Sequence, residues 1–485
     1  MPRSLKRLSS GVAGLDSILG GGLVEGSTYI VQGHPGSGKT ILANQLAFHR
    51  AASGENALYA TLLAESHERL FQFLSTMEFY DSAQVGSRIT YVSAFQTMQE
   101  EGLDGVVHLL RREILRQKAS LLILDGLLNA RQKAATALDV KTFIAALQGH
   151  VAFANCTALL LTSSNFDDGS AEYTMVDGVL ELREEAFGAR SARRLRVRKS
   201  RGSAALPGLH QCEITDRGLV VYPRLEALLA HPSVPDEPSD ARTTSGIGSL
   251  DGLLGGGLPV GSVTLLAGRS GTGKTSCGLH FLARAPLDEP ALHFGFYETS
   301  ARLERKARAL GVDLSPLLAS GHLQMLWQPP AANLLDGLGQ RLLEAVRHRG
   351  VKRLFLDGLS GFARAAVDPS RLTEFFTALI NELRALGVTV LATCEPQDVQ
   401  GVLGVQVTLA PSEIASIADN LFLLRFAEQD GRLVRQLLVI KVRDSGFDPL
   451  PRDFVITEQG IELSVRPSGV IKAPTIKAGP GDLPL

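Results

Sequence analysis

The chain has 485 residues, 45% of which are hydrophobic, and its 49 basic side chains nearly balance its 50 acidic ones. This composition excludes a chain that is disordered throughout, and the near-zero charge excludes an overall basic field for nucleic acid or anionic membranes. Four well-separated cysteines argue against a disulfide scaffold or a zinc module. No apolar run approaches the ~18 residues that cross a bilayer, and the N-terminal stretch lacks the apolar core of a signal peptide. We therefore expect a soluble, cytoplasmic protein without a membrane segment.

An internal repeat dominates the sequence. The stretch RLSSGVAGLDSILGGGLVEGSTYIVQGHPGSGKT, beginning at Arg7, matches RTTSGIGSLDGLLGGGLPVGSVTLLAGRSGTGKT, beginning at Arg242, without a gap. The spacing is too long for a solenoid repeat and indicates duplication of a whole domain. Turn-forming residues between the copies predict a linker. The expected organisation is a first domain over 1–230, a linker over 231–241, a second domain over 242–465 and a flexible tail over 466–485.

Strand and helix patterns alternate along each half. In the first half, a short apolar run at 27–32 precedes a glycine-rich loop and a helical stretch, and further buried strands are expected at 57–62, 121–124 and 157–162. The second half repeats these strands at 263–267, 292–296, 354–356 and 388–393. Such alternation is typical of an α/β fold, so we predict that each half forms a mainly parallel sheet with helices on both faces.

Both repeats contain the phosphate-binding pattern GxxxxGK[ST] between a strand and a helix. Its glycines let successive backbone N–H groups turn toward one phosphate, and the following helix directs its positive end at the same point. The lysine is expected to reach the β- and γ-phosphates of a nucleotide. The predicted nucleotide-binding residues are Gly33, Gly36, Ser37, Gly38, Lys39 and Thr40 in the first half, and Gly268, Gly271, Thr272, Gly273, Lys274 and Thr275 in the second.

A strand-end aspartate accompanies each phosphate loop. Asp125 and Asp357 each end an apolar strand, which would place a metal-binding carboxylate at the carboxyl edge of the sheet. With the hydroxyls of Thr40 and Thr275 they form the predicted Mg²⁺ sites. The alternative is an aspartate that caps a turn at the end of a strand.

A glutamate follows the second strand of each half, Glu65 in the first and Glu298 in the second. Hydrolysis of a nucleotide needs a carboxylate that orients or deprotonates the attacking water, and these two are the candidates. The alternative is a glutamate favoured only by the dipole at a helix N-terminus.

These features together resemble the KaiC family of tandem RecA-like ATPases. The shared motifs are RxxSGxxxLDxxLGGG, the phosphate loop, the glutamate, the strand-end aspartate and a late KxR, and they extend from Arg7 to about Leu463. The resemblance implies a double-ring hexamer that binds ATP between neighbouring subunits. It also implies that the basic residues of KxR reach the neighbour's phosphate; they are Lys199 and Arg201 in the first half, and Lys441 and Arg443 in the second.

This chain departs from the clock members of the family at two places. Clock members carry two adjacent glutamates after the second strand, whereas the first of these positions is Ala64 in one half and Tyr297 in the other. Clock members also phosphorylate themselves in the second half, on a serine and a threonine that neighbour each other in the sequence. One hydroxyl remains at the matching place, Ser416 after Ala415, so Ser416 is the predicted phosphosite, with a helix- or turn-capping serine as the alternative.

The leading interpretation is a KaiC-like ATPase that binds ATP and Mg²⁺, associates with itself as a ring hexamer and phosphorylates its own second half. A RecA-type DNA recombination or repair ATPase is the first alternative. Against it, the first phosphate loop leaves no room for a preceding DNA-binding module, and the basic segment RSARRLRVRKSR lacks interleaved aromatic residues that would stack on bases. The second alternative is a nucleotide-gated signalling scaffold without turnover. The sequence does not identify a signalling partner.

Overall fold

The computed structural model describes residues 5–64, 67–134, 136–163, 170–187, 190–329, 333–395, 412–429, 431–443 and 446–464, apart from the side chains at 137, 171, 412 and 413. The chain divides into two compact units, Met1–Leu228 and Leu229–Leu485. The segment at 466–485, expected to be a tail, and Glu65 lie outside the described residues.

The first unit alternates strands with helices. Its strands are β1 Arg7–Leu8, β2 Leu23–Val24, β3 Thr28–Gln32, β4 Asn56–Thr61, β5 Ile89–Ser93, β6 Ala119–Asp125, β7 Thr157–Thr162, β8 Gly178–Phe187, β9 Arg190–Ser200, β10 His210–Thr215 and β11 Gly218–Tyr222. Its helices are α1 Leu15–Ile18, α2 Lys39–Ala52, α3 His67–Leu74, α4 Phe95–Gln117, α5 Leu127–Lys133, α6 Ala137–Phe153, α7 Ala171–Met175 and α8 Leu225–Leu228.

The second unit repeats this order. Its strands are β12 Arg242–Thr243, β13 Leu258–Pro259, β14 Val263–Gly268, β15 Ala291–Gly295, β16 Leu323–Trp327, β17 Arg353–Asp357, β18 Thr389–Cys394, β19 Asn420–Gln429, β20 Arg432–Val442, β21 Arg452–Thr457 and β22 Gly460–Leu463. Its helices are α9 Gly248–Leu253, α10 Lys274–Ala283, α11 Ser300–Ala309, α12 Ser315–Ala319, α13 Leu335–Arg349, α14 Ser360–Ala365, α15 Leu372–Ala385 and α16 Ser412–Ile417.

Each unit is built on one large sheet, which has nine strands within the described residues. The strand order is β11-β10-β9-β8-β3-β7-β6-β4-β5 in the first unit and β16-β15-β17-β18-β14-β19-β20-β21-β22 in the second. Six strands of each sheet pair in parallel, from β8 to β5 and from β16 to β19, and the remaining three extend the sheet in antiparallel pairing. The predicted fold class, two tandem RecA-like α/β units with mainly parallel sheets, is confirmed.

The cores explain why the central strands are apolar on both faces. Successive side chains of a strand point to opposite faces of the sheet. In β3, Val31 therefore packs in a cluster with Leu46 of α2, whereas Ile30 packs in a second cluster with Val106 of α4 and Ile144 of α6. Helices cover both faces, which leaves the strand ends as the polar edges of each sheet.

All four cysteines are buried and unpaired. Across the part of the chain that the structure describes, no helix combines the length and apolar character that crossing a membrane requires.

Candidate nucleotide-binding sites

Each phosphate loop joins a buried parallel strand to a helix, from β3 to α2 and from β14 to α10. The residue before each helix is a glycine in the left-handed region, Gly38 with φ 104° and Gly273 with φ 108°. A β-carbon on Gly273 would lie 2.8 Å from a ring carbon of Phe454, so a side chain would clash as well as strain the backbone. Position 273, directly before α10, therefore requires glycine for both its backbone conformation and its space.

The loop lysines fold back over their own loops. The Lys39 Nζ donates to the carbonyl oxygens of Gly33 and His34 at 2.7 and 2.9 Å. The Lys274 Nζ makes the same two contacts in the second half, to Gly268 and Arg269, at 2.6 and 2.9 Å. Burial lowers the pKa of both lysines. A partly desolvated ammonium group at this point would gain free energy from an anionic ligand.

In the second half, three oxygen-bearing side chains meet at the carboxyl edge of the sheet. The Thr275 hydroxyl donates to the Asp357 Oδ2 at 3.2 Å, and the Thr393 hydroxyl donates to the Oδ1 at 2.9 Å. Thr393 also accepts the backbone N–H of Gly358 at 2.8 Å, which fixes its rotamer. Burial raises the pKa of Asp357, while the two threonine hydrogen bonds lower it. The carboxylate is therefore both oriented and short of compensating positive charge.

In the first half, the strand-end aspartate accepts a hydrogen bond from the neighbouring strand β4. The Tyr59 hydroxyl donates to the Asp125 Oδ2 at 2.8 Å. Burial, together with the nearby Asp125 charge, raises the pKa of Tyr59 well above its ordinary value, so the phenol keeps its proton and remains a donor. The Tyr59 ring contacts the ring of Tyr91 at a tilted angle, with centroids 5.1 Å apart, and the Tyr91 hydroxyl donates to the Asn44 Oδ1 at 2.8 Å.

The donor set fits Mg²⁺. This hard cation prefers oxygen ligands and usually takes one or two from the protein, with phosphates and water supplying the others. Thr275 and Asp357 place such a pair beside the Lys274 loop. Among the described residues, no cluster of three or more His, Cys, Asp or Glu side chains suited to a metal occurs.

The second site opens into a cleft of about 1100 Å³ that is lined by the phosphate loop, Asp357, Tyr297 and Glu298. Glu298 pairs with Lys306, which lines the same cleft. The Tyr297 hydroxyl lies 2.7 Å from the Ser360 Oγ, and the Arg364 guanidinium lies over the Tyr297 ring. The structure thus brings Glu298 together with the predicted nucleotide-binding and metal-binding residues of the second half.

The basic residues of the KxR motifs contact helix ends instead of the phosphate loops. The Lys199 Nζ donates to the carbonyl oxygens of Tyr173 and Thr174, in α7, at 2.8 and 3.0 Å. Arg201 also donates to the Thr174 carbonyl at 3.2 Å and lies 3.6 Å from Asp177. Burial and the neighbouring Arg201 lower the pKa of Lys199.

The second KxR motif makes equivalent contacts. The Lys441 Nζ donates to the carbonyl oxygens of Ala418 and Ser416 at 2.6 and 3.4 Å, and Arg443 donates to Asp419 at 3.0 Å. Burial and the neighbouring Arg443 lower the pKa of Lys441.

Strand register places these basic pairs at the sheet edge opposite the phosphate loops. Lys199 pairs with Val179 near the start of β8, and Lys441 pairs with Leu421 near the start of β19. Both strands run parallel to the strand that leads into the loop, so their starts lie at the amino edge and the loops at the carboxyl edge. Three residue steps of strand, roughly 10 Å, separate the position of each lysine from the first glycine of its own loop. The lysine side chains contact the helix ends at the amino edge, away from the phosphate loop of their own unit.

The basic segment of the first half forms β9, an interior strand of the sheet. Its arginines face carboxylates of β8: Arg193 lies 3.3 Å from Glu184, and Arg194 lies 3.5 Å from Glu185. The Arg194 guanidinium also lies over the Phe187 ring. Neighbouring acidic side chains thus neutralise much of this strand.

Sequence reasoning missed three residues that shape the sites, namely Tyr59, Thr393 and Lys306. A polar residue near the carboxyl end of a buried strand was the available signal for Thr393, and a tyrosine within an apolar strand was the signal for Tyr59. Lys306 lies on a charged helix and offered no signal, since its contact with Glu298 depends on how α11 packs.

Two RecA-like units, each with a strand, phosphate loop, helix and neighbouring strand-end aspartate, define a tandem P-loop ATPase. The family model described as "ATPase: KaiC" matches residues 8–226 and 243–468. The chain belongs to the KaiC family of ATPases. It is similar to the circadian clock oscillator protein KaiC of Parathermosynechococcus lividus, at 26% identity over 95% of this chain and 86% of the relative. The KaiC of a Nostoc species (24%) and KaiC 1 of a Synechocystis species (26%) each align with 95% of this chain and 89% of their own length.

Proposed function

We propose that this chain binds Mg·ATP in both halves, hydrolyses it, and assembles into a hexameric ring with ATP at the subunit interfaces. The two ATPase domains are residues 1–230 and 242–465, joined by the linker at 231–241. The observation that carries the proposal is the recurrence of one arrangement at two carboxyl edges, a glycine-bounded loop with a folded-back lysine beside a strand-end aspartate. The family assignment supports the ATPase activity.

Each residue of the second site has its own proposed role in ATP binding or hydrolysis. The loop N–H groups and Lys274 bind the phosphates, while Thr275 and Asp357 bind the cation, which neutralises phosphate charge and orients the terminal phosphate. Glu298, on the cleft wall, orients the attacking water. In the first half, Lys39, Thr40 and Asp125 take the corresponding positions, and Glu65 is the proposed water-orienting residue.

The position of the KxR residues supports a shared site. Each pair combines a lysine of lowered pKa with an adjacent arginine, at an edge that its own phosphate loop does not reach. Such crowded positive charge gains free energy when it meets an anion. In a head-to-tail ring, the amino edge of one subunit can meet the carboxyl edge of the next. Lys199 with Arg201 and Lys441 with Arg443 are therefore proposed to contact the neighbour's nucleotide.

The same geometry bears on Ser416. This exposed serine of α16 lies two residues before Ala418 at the amino edge of β19, whereas the Lys274 loop lies at the carboxyl edge. From the start of β19 at Asn420 to Gly268 the separation along the strands is roughly 13 Å, and Ser416 precedes that start, so transfer of the terminal phosphate to Ser416 is proposed to use the nucleotide of a neighbouring subunit. We include this trans-autophosphorylation in the proposal.

Sedimentation with and without Mg·ATP tests the assembly, since ATP at an interface stabilises the ring by mass action. Hexamers are expected with nucleotide and smaller species without it. Charge reversal in Arg443→Glu should weaken assembly, while Arg308→Glu, at an exposed position on α11, serves as the control. Assembly that is indifferent to nucleotide would overturn the shared-site proposal.

Hydrolysis is tested separately from assembly. Glu65→Gln and Glu298→Gln keep the side-chain shape but remove the carboxylate, so ATP binding should persist while turnover falls. Wild-type turnover in the double variant would exclude both glutamates. An absence of turnover in the wild-type ring, with ATP still bound, would instead favour the nucleotide-gated scaffold.

A further inference from the structure

The helix that follows the second strand differs in sequence between the two halves, and one of these differences adds a cation. In the second half this helix, α11, carries Lys306 directly before the buried Ala307. In the first half, α3 has Phe73 directly before the buried Leu74. Phe73 is 59% exposed, and the Arg69 guanidinium lies over its ring. A cation at this helix position is therefore a property of the second half only.

Lys306 points into the cleft of the second site. Its Nζ donates to the Glu298 Oε1, and both side chains line the cleft that holds Lys274 and Asp357. In a helix, side chains lean toward the N-terminus, so a lysine two turns into α11 can reach a residue that precedes the helix. The packing of Ala307 and Leu303 against the core fixes the face on which Lys306 lies. The contact thus follows from the helix geometry and the buried face.

The pair lies where it affects the reacting groups. Glu298 and Lys306 line the same cleft as Lys274 and the proposed metal ligand Asp357. Because the Glu298 Oε1 accepts the Lys306 N–H, this oxygen is occupied, and the Glu298 carboxylate is turned toward α11. This restraint acts against the orientation of an attacking water.

We propose that Lys306 is a positioning residue that restrains Glu298 and thereby slows ATP hydrolysis at the second site relative to a site without this lysine. The proposal rests on the function proposed above, in which Glu298 orients the water. Lys306 and Glu298 are 39% and 28% exposed, and solvent screening limits such pairs to modest energies. The expected effect of removing Lys306 is therefore an increase of about two- to fivefold in the rate of hydrolysis.

The experiment uses the full chain with Lys39→Ala, so that single-turnover hydrolysis reports on the second site. Lys306→Met should raise the rate by that factor without changing the affinity for ATP. Lys306→Arg keeps the cation and should restore the wild-type rate. Arg308→Met removes a cation from the same helix, at a position paired with Glu304, and should change neither quantity. Lys306→Gln is the second neutral variant, in case the methionine variant fails to fold.

A double-variant comparison separates the outcomes. In a Glu298→Gln background, Lys306→Met should no longer change the rate, because the restrained group is absent. An unchanged rate for Lys306→Met with Glu298 present overturns the proposal. A loss of affinity for ATP in Lys306→Met that exceeds the loss of affinity for ADP also overturns it, because Lys306 would then be a ligand of the terminal phosphate. If Glu298→Gln alone hydrolyses ATP normally, the assignment of Glu298 in the proposed function fails, and the restraint fails with it.

Discussion

Tyr59 and Asp125 are joined by a hydrogen bond of 2.8 Å from the phenol to the carboxylate Oδ2, across the neighbouring strands β4 and β6. In the second half the equivalent position of β15 is His293, whose ring nitrogens have no hydrogen-bond partner among the described residues. There the strand-end carboxylate of Asp357 is held from the opposite neighbour, by Thr393 of β18. The tyrosine contact to the strand-end carboxylate is thus a feature of the first half that His293 does not reproduce in the second.

This relationship predicts the effect of Tyr59→Phe. The variant leaves a carboxylate oxygen without its buried donor, so the free energy of unfolding should fall by about 1–2 kcal/mol. A less well oriented Asp125 should also require a higher Mg²⁺ concentration for ATP binding at the first site. Tyr91→Phe is the matched control, because it removes a hydroxyl that bonds to Asn44. Thermal unfolding and Mg²⁺ titrations measure both effects. An identical Mg²⁺ requirement in the two variants would contradict the prediction.

The corresponding test in the second half is Thr393→Val, which preserves shape but removes the hydroxyl that contacts Asp357 and the Gly358 N–H. Loss of such a supporting hydrogen bond should weaken Mg²⁺-dependent ATP binding at this site by about tenfold. Thr389→Val changes the same strand at its other end, where the hydroxyl accepts the Gly261 N–H, and should leave ATP binding intact. Equal effects of both variants would indicate a general disturbance of β18.

The two lysines of the phosphate loops should affect separate sites. Lys39→Ala and Lys274→Ala each remove an ammonium that lies over one loop, so equilibrium binding should fall from two ATP molecules per chain to one. The double variant should bind none. Lys352→Ala, whose Nζ contacts the Leu386 carbonyl, is the control and should retain both. Retention of two bound nucleotides in either single variant would show that the lysine of that loop is dispensable for binding.

His293 should make the stability of the second half depend on pH. Burial lowers the pKa of His293 to about 4, below its ordinary value of 6.5, so the folded state keeps the ring neutral. This contribution to stability is complete above pH 6.5 and is lost as the pH falls toward 4, up to about 3 kcal/mol. His293→Leu should therefore lose less stability between pH 7 and pH 4 than the wild type. The exposed His348→Leu is the control in denaturant titrations, and parallel pH dependence in wild type and His293→Leu would refute the prediction.

Ser416 is the residue at which autophosphorylation is checked. After long incubation with Mg·ATP, we expect weak phosphorylation of the second half with Ser416 as the main acceptor, because Tyr297 stands where a second carboxylate would accept the proton. Mass spectrometric mapping of Ser416→Ala should show loss of this phosphate. Mixing Ser416→Ala with Lys274→Ala chains should restore it on the Lys274→Ala chains if transfer occurs between subunits. Phosphorylation of the second half that persists in Ser416→Ala would refute the assignment of Ser416 as the main acceptor.

The features that depend on the local chain were predictable. A loop such as 268–275 needs only glycines at the tight positions, a lysine and a following helix, all of which are consecutive in sequence. Apolar runs that end in Asp125 or Asp357 indicate buried strands, because strands covered on both faces have no alternation. The repeat and the alternation of strands and helices then predict the fold class, which the sheets confirm.

The features that depend on distant parts of the chain were decided only by the tertiary structure. Tyr59 contacts Asp125, and Thr393 contacts Asp357, because strands that are far apart in sequence become neighbours in the sheet. No local sequence pattern predicts this strand order. The KxR motif was recognised in the sequence, but the register of β20 on β19 decided that Lys441 lies at the edge opposite its own loop. Lys306 contacts Glu298 because the buried face of α11 sets its rotation. The sequence thus determined which functional groups are available, and the packing of distant segments determined which of them come into contact.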